Sequence, residues 1–138
     1  MNSQYVIFKV NGEDYGIDIS HIKEIIKPRK VTTVPKSKDY FLGIISLRDS
    51  SVPIIDFKKL IGLPDREKGK HIIITEREDS FIGLMIDEVT EILELGDQQI
   101  EPAPDLARQR DIDFLEGIAQ IEGGRVLILI NLEECLNI

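Results

Sequence analysis

Tryptophan is absent from this 138-residue chain, and aromatic residues reach only 6%. Bases stack on aromatic side chains, so the chain has few platforms for nucleic acid. The formal net charge of −8 points the same way, because phosphate contacts need clustered Lys and Arg. No nucleic-acid partner is expected; the cations that could contradict this locally are Lys9, Lys23, Lys27, Arg29, Lys30, Lys36 and Lys38. The single cysteine, Cys135, excludes an internal disulfide and sits in an apolar run, as a small packed hydrophobe would. Only His21 and His71 could act as bases near neutral pH, and neither has a metal-ligand spacing to Cys or another His. There is no glycine-rich phosphate loop after a strand and no G-x-S-x-G elbow. With no nucleophile paired to a base, the expectation is no catalytic residue, no cofactor and no metal. The opening MNSQYVIFKV has no basic leader, and no apolar run approaches the ~18 residues of a membrane span. A cytoplasmic protein without direct membrane insertion is expected.

What the chain does contain is a repeat. The run GIISLRDSSVPIIDFKKLIGL, from Gly43 to Leu63, is echoed by GIAQIEGGRVLILINLEECLNI, from Gly117 to Ile138, with one inserted residue near its end. Upstream, YGIDISHIKEII from Tyr15 to Ile26 is echoed by IGLMIDEVTEIL from Ile82 to Leu93. The repeat predicts one domain over residues 1–138, built from two lobes at about 1–66 and 67–138, with exchange of terminal strands between lobes left open. A half of roughly 69 residues buries too little surface to be secure alone, so the lobes are expected to depend on each other. Hydrophobic residues at 42% exclude general disorder.

Local patterning is mostly that of strands. Tyr5–Val10 and Tyr15–Ile19 flank Asn11-Gly12, a strong signal for a tight hairpin. Phe41–Ser46 and Val52–Phe57 flank LRDSS as a second hairpin; in its echo Gly123-Gly124 predicts a two-residue turn. A third pair is His71–Thr75 and Phe81–Ile86 around Glu78–Ser80. Ser20 is placed as the cap of a short helical turn through Ile22, Glu24 and Ile25, against the β-branched content. Between Pro28 and Pro35, Lys30–Val34 reads as extended. Phe57, Leu60 and Ile61, and their echo Leu132, Cys135 and Leu136, have helical spacing. Asp56 and Asn131 stand before them as caps. Asp87, Glu88, Glu91 and Glu94 read as the wet face of an element whose apolar face is Ile86, Val89, Ile92 and Leu93. Pro64–Lys70 is a polar connector, and Gly96–Asp113 is the least structured stretch. The sum is a mainly β, small-barrel fold with short helical turns.

The stretch GIISLRDSSVPIID, Gly43 to Asp56, resembles the G-x-x-N-L-R-G-x-x-V-P-x-x-D signature of the CheW family of chemotaxis coupling proteins. GEDYGIDISHIKEI, IGLMIDEVTEIL, QIEPAP and VLILINLEECL follow in family order, so the resemblance covers about residues 4 to 137. It implies two packed five-stranded SH3-like β-barrels around a shared apolar interface, with one short helix at the C-terminus. It also implies a non-enzymatic adaptor, recruited to membrane-associated receptor arrays, that joins chemoreceptor cytoplasmic tips to the regulatory domain of the histidine kinase CheA. No receiver domain or kinase module is recognisable in the sequence, which separates the resemblance from CheV and CheA. Two positions depart from the signature: Ser46 stands for its Asn and Asp49 for its second Gly. If that turn needs positive φ, Asp is a poorer fit than Gly.

Under this resemblance the receptor-facing candidates are Ile22, Glu24, Gly43, Arg48 and Val89. Ile22 and Val89 are equivalent apolar positions in the two copies, as the family's receptor groove requires near the seam. Glu24 and Arg48 are expected to approach each other and orient the receptor surface. Gly43 corresponds to Gly117, Glu24 to Glu91, but Arg48 to Glu122; the shared positions read as demands of the barrel, and the arginine does not. Core packing, capping or plain solvation is the competing account for each candidate. The kinase-facing residues are unassigned. The alternative function is a small-molecule sensor using the inter-lobe seam as a pocket.

Overall fold

The computed structural model describes residues 2–64, 69–102 and 114–136. Parts of the predicted connector Pro64–Lys70 and of Gly96–Asp113 lie outside them. The chain is mainly β and forms two sheets in two compact units, one of Met1–Ser20 with Val89–Ile138 and the other of His21–Glu88.

In the first unit, β1 (Asn2–Val10) and β2 (Glu13–Asp18) form an antiparallel hairpin closed at Val10↔Glu13 around Asn11-Gly12. The sheet continues with β8 (Glu88–Gly96), β9 (Ile100–Glu101), β10 (Leu115–Ile121) and β11 (Arg125–Ile130), in the order β8-β1-β2-β11-β10-β9. Alternation along β1 and its neighbours sends Tyr5, Ile7, Leu95, Ala119, Leu127 and Leu129 into one buried cluster.

The second unit holds β3 (Ile22–Ile26), β4 (Phe41–Leu47), β5 (Ser50–Asp56), β6 (His71–Arg77) and β7 (Ser80–Ile86), in the order β3-β6-β7-β5-β4. Its core is Ile45, Leu47, Val52, Ile54, Ile72 and Ile74. An isolated bridge, Thr32↔Ile44, adds to β4 what β9 adds to β10 through Glu101↔Ile118.

The two sheets therefore follow one plan, but not along the division at residue 66. The β1–β2 hairpin lies in the sheet of β8–β11, where β2 runs parallel to β11 at Tyr15↔Ile128 and Gly16↔Leu129. Reciprocally, the β6–β7 hairpin lies with β3–β5, where β7 runs parallel to β5 at Ile54↔Gly83 and Ile55↔Leu84. The physical reason is in the clusters: Tyr5 and Ile7 bury against residues beyond 94, and Ile72 and Ile74 against residues before 55.

Three local expectations change. The predicted helical turn through Ile22, Glu24 and Ile25 is strand β3, preceded by a 3-10 turn at Ile19–His21. Three isoleucines in five residues favour the pleated surface, and Ser20 donates its own N–H to Asp18 Oδ1 at 2.9 Å instead of capping. The β10–β11 turn has three residues, Glu122–Gly124, with Gly123 and Gly124 at φ 79° and 75°. The acidic set does not share one wet face, because β8 is a strand and alternates: Glu88 and Glu94 are exposed, Glu91 is half-buried and Asp87 is buried. Ile92, expected on the apolar face, is 55% exposed for the same reason.

Two short helices follow the hairpins. In α1 (Phe57–Ile61), Asp56 Oδ1 accepts from the backbone N–H of Lys58 at 3.0 Å and of Lys59 at 3.4 Å. In α2 (Leu132–Leu136), Asn131 Oδ1 accepts from Glu134 N–H at 3.2 Å. Both residues are caps, and each frees its helix to drop apolar side chains into the core. Lys58 also reaches Asp87 at 2.8 Å, with side chains only 3% and 5% exposed.

Removing one partner of a buried ion pair strands the other charge, at a cost of ~3–5 kcal/mol. Lys58→Met is expected to lose that much in urea unfolding, and Lys58→Met/Asp87→Leu to recover much of it; a single-variant loss below ~1 kcal/mol contradicts a structural pair. Burial pushes the Cys135 thiol up to about 12 from 9.0. A folded value above the unfolded one contributes stability that is whole below pH 9 and lost as pH rises to 12. The urea midpoint should fall across that window, and less steeply in Cys135→Ala.

Candidate functional site

Glu24 sits in β3 and Arg48 in the β4–β5 turn, 24 positions apart, and the sheet brings them together. Arg48 Nη1 lies 2.8 Å from Glu24 Oε1 and Nη2 donates to Oε2 at 3.3 Å, a two-point fork. The arginine side chain is 69% exposed and the glutamate 26%, so the pair positions a surface group more than it holds the fold. Beneath it is a depression of about 210 Å³ lined by Lys23, Leu47, Ser50 and Phe81 as well as the pair.

Arg48 itself carries the turn's left-handed backbone at φ 55°, and Asp49 does not have positive φ. The loss of the signature's glycine at 49 therefore meets no left-handed requirement there. Glu78, in the matching turn of the β6–β7 hairpin, has the same φ of 55°. Ser46 is exposed, and its carbonyl accepts from Arg29 Nη1 at 3.2 Å.

Gly43 is buried at a β-bulge with φ +139°. A Cβ there would overlap the carbonyl oxygen of Thr32, so the close bridge Thr32↔Ile44 needs glycine. Gly117 repeats this: its Cβ would come 2.6 Å from Glu101 O. Ile22 opens β3 and Val89 is the second residue of β8, and both are half-buried. The structure thus joins Glu24 to Arg48 within one unit, assigns Gly43 a backbone role, and leaves Ile22 and Val89 as partly accessible apolar positions on different units.

One site was missed. Glu91, the repeat mate of Glu24, also binds an arginine: Arg125 Nη2 donates to Glu91 Oε2 at 3.2 Å, and its Nε to Asp14 Oδ2 at 3.3 Å. Lys9 Nζ meets the other oxygen of Asp14 at 3.1 Å. Partial burial works against the Arg125 charge, but the hydrogen bonds to Glu91 and Asp14 outweigh it and hold the guanidinium above its ordinary value. Position-by-position alignment of the repeat set Arg48 against Glu122 and so concealed this arginine three residues further on; the R of EGGR was the available signal. Beside it is a depression of about 380 Å³ bordered by Glu91, Leu93, Glu94, Ile121, Glu122 and Arg125. The cations weighed for nucleic acid do not belong to one unit: Lys9 is tied to Asp14, whereas Lys23, Lys27, Arg29, Lys30, Lys36 and Lys38 are on the other. Among the described residues, no group of His, Cys, Asp and Glu could hold a metal ion. Nor is any described helix long and apolar enough to cross a membrane.

The comparisons with known proteins agree with one another. Residues 4–138 match the family described as CheW-like domain. Chemotaxis protein CheW of Bacillus subtilis is 34% identical over 135 residues, covering 96% of this chain and 85% of that protein. Chemotaxis protein CheW of Rhizobium meliloti is 33% identical over 132 residues, covering 94% and 84%. Among solved structures, the scaffolding protein TtCheW from Thermoanaerobacter tengcongensis superposes with a TM-score of 0.89 at 34% identity, covering 100% of this chain and 90% of that one. None of these is named for a small ligand, and the sensor alternative gains no support. With its duplicated sheet plan and a signature arginine forked onto Glu24, the chain belongs to the CheW-like family, a non-enzymatic family named for chemotaxis and scaffolding.

Proposed function

We propose that this protein is a scaffold coupling the cytoplasmic tips of chemoreceptors to the regulatory domain of the histidine kinase CheA. In this reading it works in the cytoplasm and is recruited to membrane-associated receptor arrays. The observation that carries it is the match to the CheW-like domain over residues 4–138, to which the Glu24–Arg48 fork adds a specific surface. A scaffold needs no reacting groups; it needs rigid exposed side chains that a partner can read. The fork supplies one by holding a guanidinium, with donors to spare, at the tip of a tight hairpin.

Receptor contact is assigned to Ile22, Glu24, Gly43 and Arg48 on the unit His21–Glu88, and to Val89 on the other. Gly43 acts through the Thr32 backbone that it lets approach, not through a side chain of its own. Ile22 and Val89 present half-buried apolar surface of the kind that anchors an apolar segment.

Pull-down with a receptor cytoplasmic fragment and with the CheA regulatory domain, separately and together, tests the coupling; failure to bind either one sinks the scaffold assignment. Arg48→Glu is expected to lose receptor binding at least tenfold while thermal stability changes by less than ~1 kcal/mol, as for other exposed pairs. Unchanged receptor affinity in that folded variant removes Arg48 from the site. Ile22→Ala and Val89→Ala are expected to weaken receptor binding by more than their stability loss accounts for. A loss of ~1–5 kcal/mol in stability with full affinity makes them core residues instead.

A further inference from the structure

The segment that joins β3 to β4 reverses the sign of the chain. Against a net charge of −8, the residues between Glu24 and Asp39 include five cations, Lys27, Arg29, Lys30, Lys36 and Lys38, and no carboxylate. All five are exposed, and none is ion-paired among the described residues. Elsewhere Lys9, Arg48, Lys58 and Arg125 each hold a carboxylate. A run of like charge is ordinarily a solvated loop. This one is built into the fold.

Thr32 and Ile44 exchange backbone N–H donors at 2.9 Å each way, and Arg29 Nη1 donates to Ser46 O, so the segment lies along β4. Ser37 Oγ donates to Val34 O at 2.8 Å and Phe41 N–H to Lys38 O at 3.0 Å, which holds the stretch before β4 in successive turns. Lys36 has a left-handed φ of 60°, a conformation that costs a lysine energy and is kept only where the surroundings fix it. Those turns lead into an apolar depression of about 350 Å³ whose walls are Tyr40, Phe41, Pro53, Ile55 and Ile82. Lys38 is the charged member of the wall, its ammonium 5.9 Å from the centre of the Tyr40 ring. Val34, 38% exposed, adds an apolar side chain within the basic stretch.

We propose that the basic segment 27–38 and the depression beside it form a docking surface for an acidic linear protein segment, one large apolar side chain filling the depression and flanking carboxylates meeting the cations. The apolar anchor supplies the buried contact, and Lys38 in the wall is placed for the carboxylate next to it. Lys27, Lys30 and Lys36 add attraction at longer range, and Arg29 keeps donors beyond the one given to Ser46. A nucleic-acid strand fits this surface less well. It carries a charge at every unit and would run on from a short basic stretch over a chain that is otherwise acidic, whereas a short segment ends with the patch. The proposal uses the charge and shape of one unit and does not rest on the scaffold reading, so it is tested without receptor or kinase.

The test is amide-resolved NMR titration of the full chain with the peptide Glu-Glu-Asp-Phe-Glu-Glu, and with Glu-Glu-Asp-Ala-Glu-Glu as its partner lacking the anchor. The first should shift amides of residues 29–41 and of Ile82, and bind more weakly as salt is raised from about 0.05 to 0.5 M. The alanine peptide should bind at least about tenfold more weakly. Lys36→Glu/Lys38→Glu should weaken the phenylalanine peptide at least about tenfold, and Lys59→Glu/Lys70→Glu, with the same change in net charge, should leave it bound. All four lysines are exposed, so both variants are expected to fold, and unperturbed amides of the core report it. The proposal is overturned if residues 29–41 do not shift, if the alanine peptide binds as well, or if the two double variants weaken binding equally. It is equally overturned if oligothymidylate or phosphatidylglycerol vesicles displace the peptide from these residues and bind them more tightly, or if the chain alone dimerises through them in sedimentation.

Discussion

Everything in this structure depends on a reciprocal loan of hairpins. Tyr5 and Ile7, at the start of the chain, bury among Leu95, Ala119, Leu127 and Leu129, and Ile72 and Ile74 bury among Ile45, Leu47, Val52 and Ile54. Without these donations each sequence half would keep an apolar hairpin exposed and a parallel edge, β11 or β5, unpaired. The chain must therefore close non-local contacts before either sheet is complete, a topology in which loop closure precedes the reward of burial. Neither half is expected to persist alone.

That arrangement explains why the surface groups are so well defined. The fork between Glu24 and Arg48 joins the edge strand β3 to the β4–β5 turn, and the Glu91–Arg125 contact joins the edge strand β8 to the start of β11. In each unit an edge is thus tied to a hairpin end by a charged pair over a small depression. The energetic contribution of exposed pairs is modest, but their geometric effect is direct: a guanidinium that would wander in solvent is held in one orientation. A scaffold recognised by its surface benefits from that restraint, because side-chain freedom lost beforehand is not lost on binding.

Much of this was legible in residues. Asn11-Gly12 announced the β1–β2 hairpin, Asp56 and Asn131 announced helix caps, and Gly43 with Gly117 announced close backbone approach; each depends on chemistry within a few positions. The errors have one source. Five-residue stretches such as IKEII fit a helical or a pleated period, and reading residues 86–94 as one two-faced element misplaced Ile92 and grouped Asp87 with exposed glutamates. Only the neighbouring strand, β6 for β3 and β1 for β8, selects the pleat. The Arg125 contact was hidden for a related reason: aligning the copies residue by residue assumes equal turns, and the three-residue Glu122–Gly124 turn shifts the arginine to the strand start.

The sequence by itself determined the strand-rich class, the duplication, the β1–β2 turn, the helix caps and the family signature, because those follow from composition and short-range spacing. The tertiary structure alone decided which hairpin completes which sheet, which glutamate holds which arginine, and which isoleucines of the repeat stay in water. Those outcomes depend on contacts between residues dozens of positions apart, and no local pattern encodes the partner across a sheet.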